Sequence, residues 1–514
     1  MQTMNSPDQM PVVTAAHSTA LGSFVDQAWE ERILPALIDY IRVPAKSPMF
    51  DPDWQAHGHL ERVVRDAASW IDARRIAGLQ LEVVRLEGRT PLLYFEVPAS
   101  AGRAPTVEVD RPAVAVGGGD AAQRTAAAGE RTVVFYGHLD KQPEFNGWRA
   151  GLGPWTPKVE DGKLYGRGGA DDGYAAYAAI TAIEAIDALG LPRPRCVGLI
   201  ETSEESGSPD LPAYLDALRA RLGEVALVVC LDSGAGNYEQ LWLTTSLRGL
   251  VSGVLQVEVL REGLHSGDAS GVVPSSFRIL RHLLDRLEDA ASGELLPPAF
   301  HCAIPALRAE QARATAAVLG EQLYRRLPWA CGADGGAVLP VTTDPAQLLL
   351  NRTWRPALSV TGAGGLPDLA SAGNVLRPAT AFKLSLRLPP PVDAADAAQR
   401  LQALLEERPP YNAKLSFRLD SSADGWDAPA LAPWLQRALD AASTAHFGAP
   451  LGYIGQGGTI PLMGMLQRGF PAAQMMVCGV LGPQSNAHGP NEFLHLGYAR
   501  RLTAAVAQVV AACA

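Results

Sequence analysis

The sequence predicts an α/β domain with a central sheet flanked by helices, interrupted by a second, α+β domain. Three observations predict it. Apolar, β-branched runs without helical period stand at 133–135, 197–200 and 225–231, with helical stretches between them. Each run leads into acidic or histidine residues: His138 and Asp140, Glu204 and Glu205, and Asp232. Open α/β sheets carry their sites at the carboxyl ends of such strands. From about Trp242 the pattern changes to strand–helix–strand units with a core of their own. This predicts an inserted domain over 245–424, with 1–244 and 425–514 forming the first domain.

A chain of 514 residues is long for one domain. Its hydrophobic content of 47% and charged content of 19% supply ample core. A net charge of −10 argues against nucleic acid or an anionic membrane as partner. No apolar run reaches about 18 residues, so no membrane span is expected. Residues 1–18 lack a basic region followed by an apolar core, so no secretory signal is expected. The six cysteines show no CxxC spacing and are expected to be free thiols in a reducing cytoplasm.

Along the chain, 1–21 is expected to be a loose arm. Apolar stripes over 24–41 and 57–77 predict packing helices. Residues 79–98 predict two strands around Glu87-Gly88. The stretch 99–130, rich in Ala, Gly, Pro and Val, is expected to be a low-complexity surface excursion without chemistry. Asp161-Gly162 marks a hairpin turn. The glycines of 166–169 lack the Lys-Ser/Thr ending of a phosphate loop. They lead to Asp171-Asp172 at the start of a helix over 174–189. One of these aspartates can cap the helix while the other faces a site.

His138 and Asp140, two residues apart at a strand end, are the start of a metal site. Adjacent Glu204 and Glu205 can diverge, one to a metal and one left free as a base. In the second domain, strands over 243–260 lead to His265. Helices are expected over 274–287, within 303–323 and over 394–406, and strands over 379–388 and 415–419. A helix over 431–447 returns the chain to the first domain. A strand over 474–480 then leads to the glycine-rich loop that carries His488, a neutral ligand for the acidic set.

Eight motifs stand in order along the chain: GHLDKQP, GRGGADD, ETSEESGS, CLDSG, GLHSG, FKLSLR, GQGGTIP and SNAHGPNE. The set resembles the dinuclear zinc family of carnosinase-type dipeptidases, aminoacylases, carboxypeptidase G and succinyl-diaminopimelate desuccinylase, above all its dipeptidase branch. The resemblance implies a zinc-peptidase catalytic domain on a central mixed sheet, with the inserted domain as lid and dimerisation surface. It implies that His138, Asp171 and Asp232 hold one zinc and that Asp171, Glu205 and His488 hold the other, Asp171 bridging. Asp140 would orient His138, and Glu204 would be the general base. His265 would stabilise the oxyanion across a dimer interface. The peptide after Asp171 is expected to be cis.

Asn374, Arg387, Gly458 and Thr459 match substrate-binding positions, with Arg387 gripping a carboxylate by its fork of donors. Two Zn²⁺ per chain are implied; Mn²⁺ or Co²⁺ can substitute, because the donors are N and O without thiolate. The implied activity is metal-dependent hydrolysis of the amide bond of dipeptides or small peptides by a cytoplasmic homodimer. An N-acyl- or N-carbamoyl-amino-acid amidohydrolase on the same site is the alternative, and an inactive binding protein on the same fold is another. Two departures from the dipeptidase pattern lie outside the ligands. Gly173-Tyr174 stands where that branch has Lys-Gly, and Gln456 where it has an acidic residue. Both bear on substrate recognition.

Overall fold

The computed structural model describes residues 13–102, 131–333 and 335–514. The expectations for 1–12 and 103–130 lie outside the described residues. The chain divides into two compact units. The first ends at Thr244 and resumes over Pro429–Tyr453 and Met465–Ala514; the second comprises Thr245–Ala428 and Ile454–Gly464. Residues 454–464 therefore group with the second unit, not with the first as the sequence suggested. Gly455 shows why: a Cβ there would lie 2.7 Å from Ser246 Oγ and 2.9 Å from Thr353 Cβ, so only glycine permits the approach.

The first unit is built on a six-stranded sheet. Its order is Gln80–Val84, Leu92–Val97, Arg195–Glu201, Arg131–His138, Glu224–Cys230, Gln474–Val477. The last four strands run parallel to one another, and the first two are antiparallel additions. Strand Arg131–His138 is buried along all but its first residue, which is why it reads as a continuous apolar run. The three strands whose ends carry acids or histidine are adjacent in the sheet, and His138 pairs in register with Glu201. Helix Tyr174–Ala188 is alanine-rich and buried nearly all round, packed between the sheet and helix Leu496–Ala511. Asp161 (φ 50°) and Gly162 (φ 71°) form the expected tight hairpin between Lys158–Glu160 and Lys163–Tyr165.

The arm reading of 13–21 is corrected. Helix Ala15–Ala28 begins there and buries Ser18, Leu21 and Val25. Its cap is reciprocal: Thr14 Oγ1 accepts from the His17 N–H at 3.3 Å, and His17 Nδ1 accepts from the Thr14 N–H at 3.3 Å. Histidine replaces the usual Glu or Gln of this device, so the start signal was not legible.

The second unit centres on a four-stranded antiparallel sheet, ordered Ala357–Gly364, Ala379–Leu388, Gly249–Glu258, Lys414–Ala423. Strand Gly249–Glu258 alternates buried and part-exposed residues along its whole length. Val251, Leu255, Leu384 and Leu386 meet Ile279, Leu283, Leu401 and Leu405 of helices Ser276–Leu284 and Ala394–Glu406 in one core. The helix expected within 303–323 is Ala306–Leu319, ending before Gly320 at φ 50°. A helix not expected, Pro345–Thr353, is capped by Asp344, whose Oδ1 accepts from Ala346 N at 2.8 Å. Among the described residues no helix is long and apolar enough to cross a membrane. All six cysteines are free.

Candidate metal centre

The acids and histidines at the sheet ends converge within the first unit. His138, Asp171 and Asp232 place ligand atoms within 4.8 Å of one another, and so do Asp171, Glu205 and His488. His138 Nε2 lies 3.6 Å from Asp171 Oδ1 and 3.8 Å from Asp232 Oδ2. His488 Nε2 lies 2.9 Å from Asp171 Oδ2 and 3.4 Å from Glu205 Oε2. Asp171 thus turns one oxygen to each histidine. Glu204 Oε2 stands 4.0 Å from His138 Nε2 and belongs to neither group of three.

Each side chain is placed by its element. His138 is the last residue of its strand. Strand Glu224–Cys230 ends two residues before Asp232. Glu204 and Glu205 sit on a short turn after Arg195–Glu201. Gly137 allows helix Tyr174–Ala188 to start close by: a Cβ there would lie 2.6 Å from Ala175 Cβ and 2.8 Å from Asp172 Oδ2. The Asp171–Asp172 peptide is cis, as expected. Neither aspartate caps the helix, so the capping half of the sequence reading is not realised.

Asp140 ties two ligand segments together. His138 Nδ1 lies 3.1 Å from the Asp140 carbonyl oxygen and 3.4 Å from its Oδ1. The same carboxylate accepts the backbone N–H groups of Glu204 (3.1 Å) and Glu205 (2.9 Å). One side chain thereby sets the imidazole and aims the turn that carries both glutamates.

The electrostatics are those of a cation site. Burial pushes the Glu204 and Glu205 carboxyls well above the usual range, and neighbouring carboxylates add to it. Burial likewise raises Asp232 to about 6. Burial opposes ionisation of Asp171 too, but His138 and His488 outweigh it and hold that carboxyl far below its usual range. His138 Nε2 and Glu205 Oε1 are buried without a hydrogen-bond partner. Orphaned donors and acceptors of this kind are costly unless an ion takes them. The donor set is nitrogen and oxygen, and its spacing suits atoms about 2.0–2.2 Å from shared divalent ions. The residues fit a two-metal site.

Several supporting residues escaped the sequence reading. Gln142 Nε2 donates to Glu205 Oε2 at 2.7 Å. Arg167 donates to the buried Glu492 carboxylate and to Gly489 O at 2.8 Å, fixing the loop that presents His488. Tyr174, which the sequence linked to substrate recognition, is instead fully buried, and its Oη donates to Leu231 O at 2.6 Å, just before Asp232. Buried Lys141 donates to the carbonyls of Tyr40 (2.7 Å) and Val43 (2.8 Å), anchoring the loop after His138. For Lys141, Gln142 and Arg167 the only signal was membership in the same motifs; their partners lie up to 325 positions away.

The remaining predicted residues lie in the second unit. His265 pairs with Val375 in a two-stranded ribbon, and Ser266 N donates to Asn374 O at 2.9 Å, so His265 and Asn374 are neighbours. The His265 side chain is 69% exposed, its Nδ1 accepting from Gly267 N at 3.1 Å. Arg387 Nη1 donates to Thr459 Oγ1 at 3.2 Å, and Gly458 has open space beside its Cα.

A cluster of this composition at the carboxyl ends of an α/β sheet has the makings of a two-metal centre. Residues 134–512 match the peptidase family M20/M25/M40, and the chain belongs to that family. It is a metallopeptidase, a hydrolase of peptide bonds. The chain is 27% identical over 366 residues to the cysteinylglycine-S-conjugate dipeptidase of Corynebacterium striatum, an alignment covering 70% of this chain and 76% of that one. It is 28% identical over 345 residues to the β-Ala-His dipeptidase of Rattus norvegicus, covering 65% and 68%. Its fold is shared with human carnosine dipeptidase 1, at TM-score 0.69 and 20% identity over 96% of this chain and 99% of that one.

Proposed function

We propose that this metallopeptidase cleaves dipeptides or similarly small peptides at a pair of zinc ions. The single observation that carries the reading is Asp171, whose two oxygens face two histidines, each within its own group of three donors. His138, Asp171 and Asp232 would hold one ion, and Asp171, Glu205 and His488 the other. Zinc suits the donors, with Mn²⁺ or Co²⁺ as substitutes. When bound, the metal pair polarises the scissile carbonyl and lowers the pKa of a water towards about 7.

Glu204 then does the proton work. Its carboxylate receives the proton of the attacking water and passes it to the leaving amine nitrogen. Asp140 keeps that carboxylate and the His138 ring in place through the contacts described above. His265 stabilises the charge that develops on the carbonyl oxygen. Arg387, Thr459, Asn374 and the Gly458 backbone hold the substrate, Arg387 by its carboxylate. We propose further that the working unit is a homodimer in which His265 serves the partner's site. The free cysteines support a reducing, cytoplasmic setting.

The test is metal analysis combined with a substrate panel. About two ions per chain, loss of activity with chelator, and turnover of dipeptides over acetylated and carbamoylated amino acids are expected. Activity in protein shown to be free of metal would overturn the reading. Preference for the acylated substrates would move it to an amidohydrolase.

A further inference from the structure

Three arginines of the second unit, Arg248, Arg352 and Arg387, share one small region. Arg387 Nη1 donates to Thr459 Oγ1 at 3.2 Å, and that hydroxyl donates to the Arg248 carbonyl. Arg248 Nε donates to Gly457 O at 3.3 Å. A Cβ on Gly457 would lie 3.1 Å from Arg248 Nη2 and 3.4 Å from Arg352 Cγ. Arg387 thus reaches the Arg248 backbone through Thr459, the Arg248 guanidinium holds Gly457 two residues before that threonine, and Arg352 packs on the same glycine.

Among the described residues none of the three forms an ion pair with a carboxylate, and Arg352 Nε has no partner at all. Burial, followed by Arg387 and Arg352, pushes Arg248 down to about 10, and burial does the same to Arg352. Both remain cationic at neutral pH. Arg248 is buried and Arg352 and Arg387 are half-buried; cations so placed without counter-charge are unfavourable, and a ligand that brings an anion relieves them.

A cavity of about 340 Å³ opens on this group. Arg248 and Arg352 line it, with Tyr324, Trp329 and Leu349 as apolar wall. Ala357, also on the wall, pairs directly opposite Arg387 in the sheet register. The volume is that of a small-ligand pocket, apolar with a few converging polar groups.

We propose that this cavity takes the side-chain carboxylate of an acidic residue, so that the preferred substrate ends in glutamate or aspartate. The α-carboxylate meets Arg387, the side-chain carboxylate meets Arg248 and Arg352, and the methylenes lie on the apolar wall. This rests on the peptidase reading, which puts Arg387 at the substrate carboxylate. Glutamine is the informative contrast: it has the same shape and leaves the arginines without an anion.

The experiment compares kcat/KM for Ala-Glu and Ala-Gln with metal-loaded enzyme, and separately the binding of free L-glutamate, L-glutamine and inorganic phosphate by calorimetry. A preference of about tenfold or more for the acidic member is expected in both arms. Arg352→Met should bring both ratios close to one. The wild-type ratios stand whether or not the variant folds. Equal handling of Glu and Gln by the wild type overturns the proposal. Phosphate binding as tightly as glutamate, with no glutamate-over-glutamine preference, makes this a general anion site and overturns it too. If neither dipeptide is cleaved but glutamate binds over glutamine in an Arg352-dependent way, the acid site stands and the dipeptide reading fails.

Discussion

Glu204 and Glu205 are neighbours in the chain with different surroundings. Glu205 faces His488 at 3.4 Å and takes a hydrogen bond from Gln142, whereas Glu204 reaches only to 4.0 Å from His138. Glu204→Gln should therefore keep about two metals per chain and the fold, while kcat falls by roughly 10²–10⁴-fold. Metal loss with turnover restored on re-addition would mean the two roles are exchanged. Glu201, three residues earlier, offers a pH readout. Tyr136 and Ser208 hydroxyls donate to its Oε1 at 2.7 and 2.8 Å, and Ser203 donates to Oε2 at 3.1 Å. Burial raises its carboxyl from 4.5 to about 7, with Asp140 adding to the rise. A raised acid favours the fold most below its unfolded pKa, and that advantage is lost as pH climbs through the folded value. In metal-free protein, thermal unfolding should show stability declining between about pH 5 and 8, by up to about 3 kcal/mol from this group. Burial raises Glu204, Glu205 and Asp232 as well, so Glu201→Gln should make the decline shallower without abolishing it; an unchanged slope would remove Glu201 as a source. His138, Glu205 and Asp232 were legible because each closely follows an apolar run, whereas Asp171 follows a glycine cluster and His488 lies in a glycine-rich loop. The division of labour between Glu204 and Glu205 needed distances that spacing does not contain.

At the scale of elements, the loop carrying His488 depends on strand-distant support. Arg167 and Glu492 are both fully buried and paired, and Gly168 N also donates to Glu492 at 2.8 Å. Removing one member leaves a buried charge alone, at a cost of about 3–5 kcal/mol. Arg167→Met should lower the unfolding midpoint and weaken one metal more than the other, since His488 belongs to only one group of three. Sequential metal titration checks this; equal weakening at both steps would show that the loop is held otherwise. The sheet strands were readable from their β-branched runs, and strand Ala379–Leu388 and helix Ala394–Glu406 occur with the expected bounds. Helix Pro345–Thr353 was not readable. It is nine residues long, with an Asp–Pro start that looks equally like a turn. Missing it also hid Arg352, because an arginine on an unrecognised helix has no predictable neighbour.

At the scale of the molecule, the metal donors all belong to the first unit, while His265, Asn374, Arg387 and Thr459 belong to the second. If His265 serves a partner's site, two inactive variants should complement each other. Mixing His265→Ala with Glu204→Gln after dissociation and reassociation would give dimers in which one site has both an intact base and an intact partner histidine. Recovered activity is expected. No recovery in mixed dimers shown to have formed would put His265 in its own chain's site or outside the reaction.

The discontinuous boundary between the units also sets a timetable for biosynthesis. A nascent chain that has cleared the ribosome up to residue 453 holds neither unit whole. The second still lacks 454–464, and the first still lacks strand Gln474–Val477 and helix Leu496–Ala511. Domains ordinarily fold one after another as they emerge. Here neither unit is whole until residues beyond 453 have been made, so the exposed apolar faces of two unfinished units coexist until then. This chain should accordingly lean on chaperones during synthesis more than its division into two compact units suggests, and termination before residue 454 leaves neither unit complete.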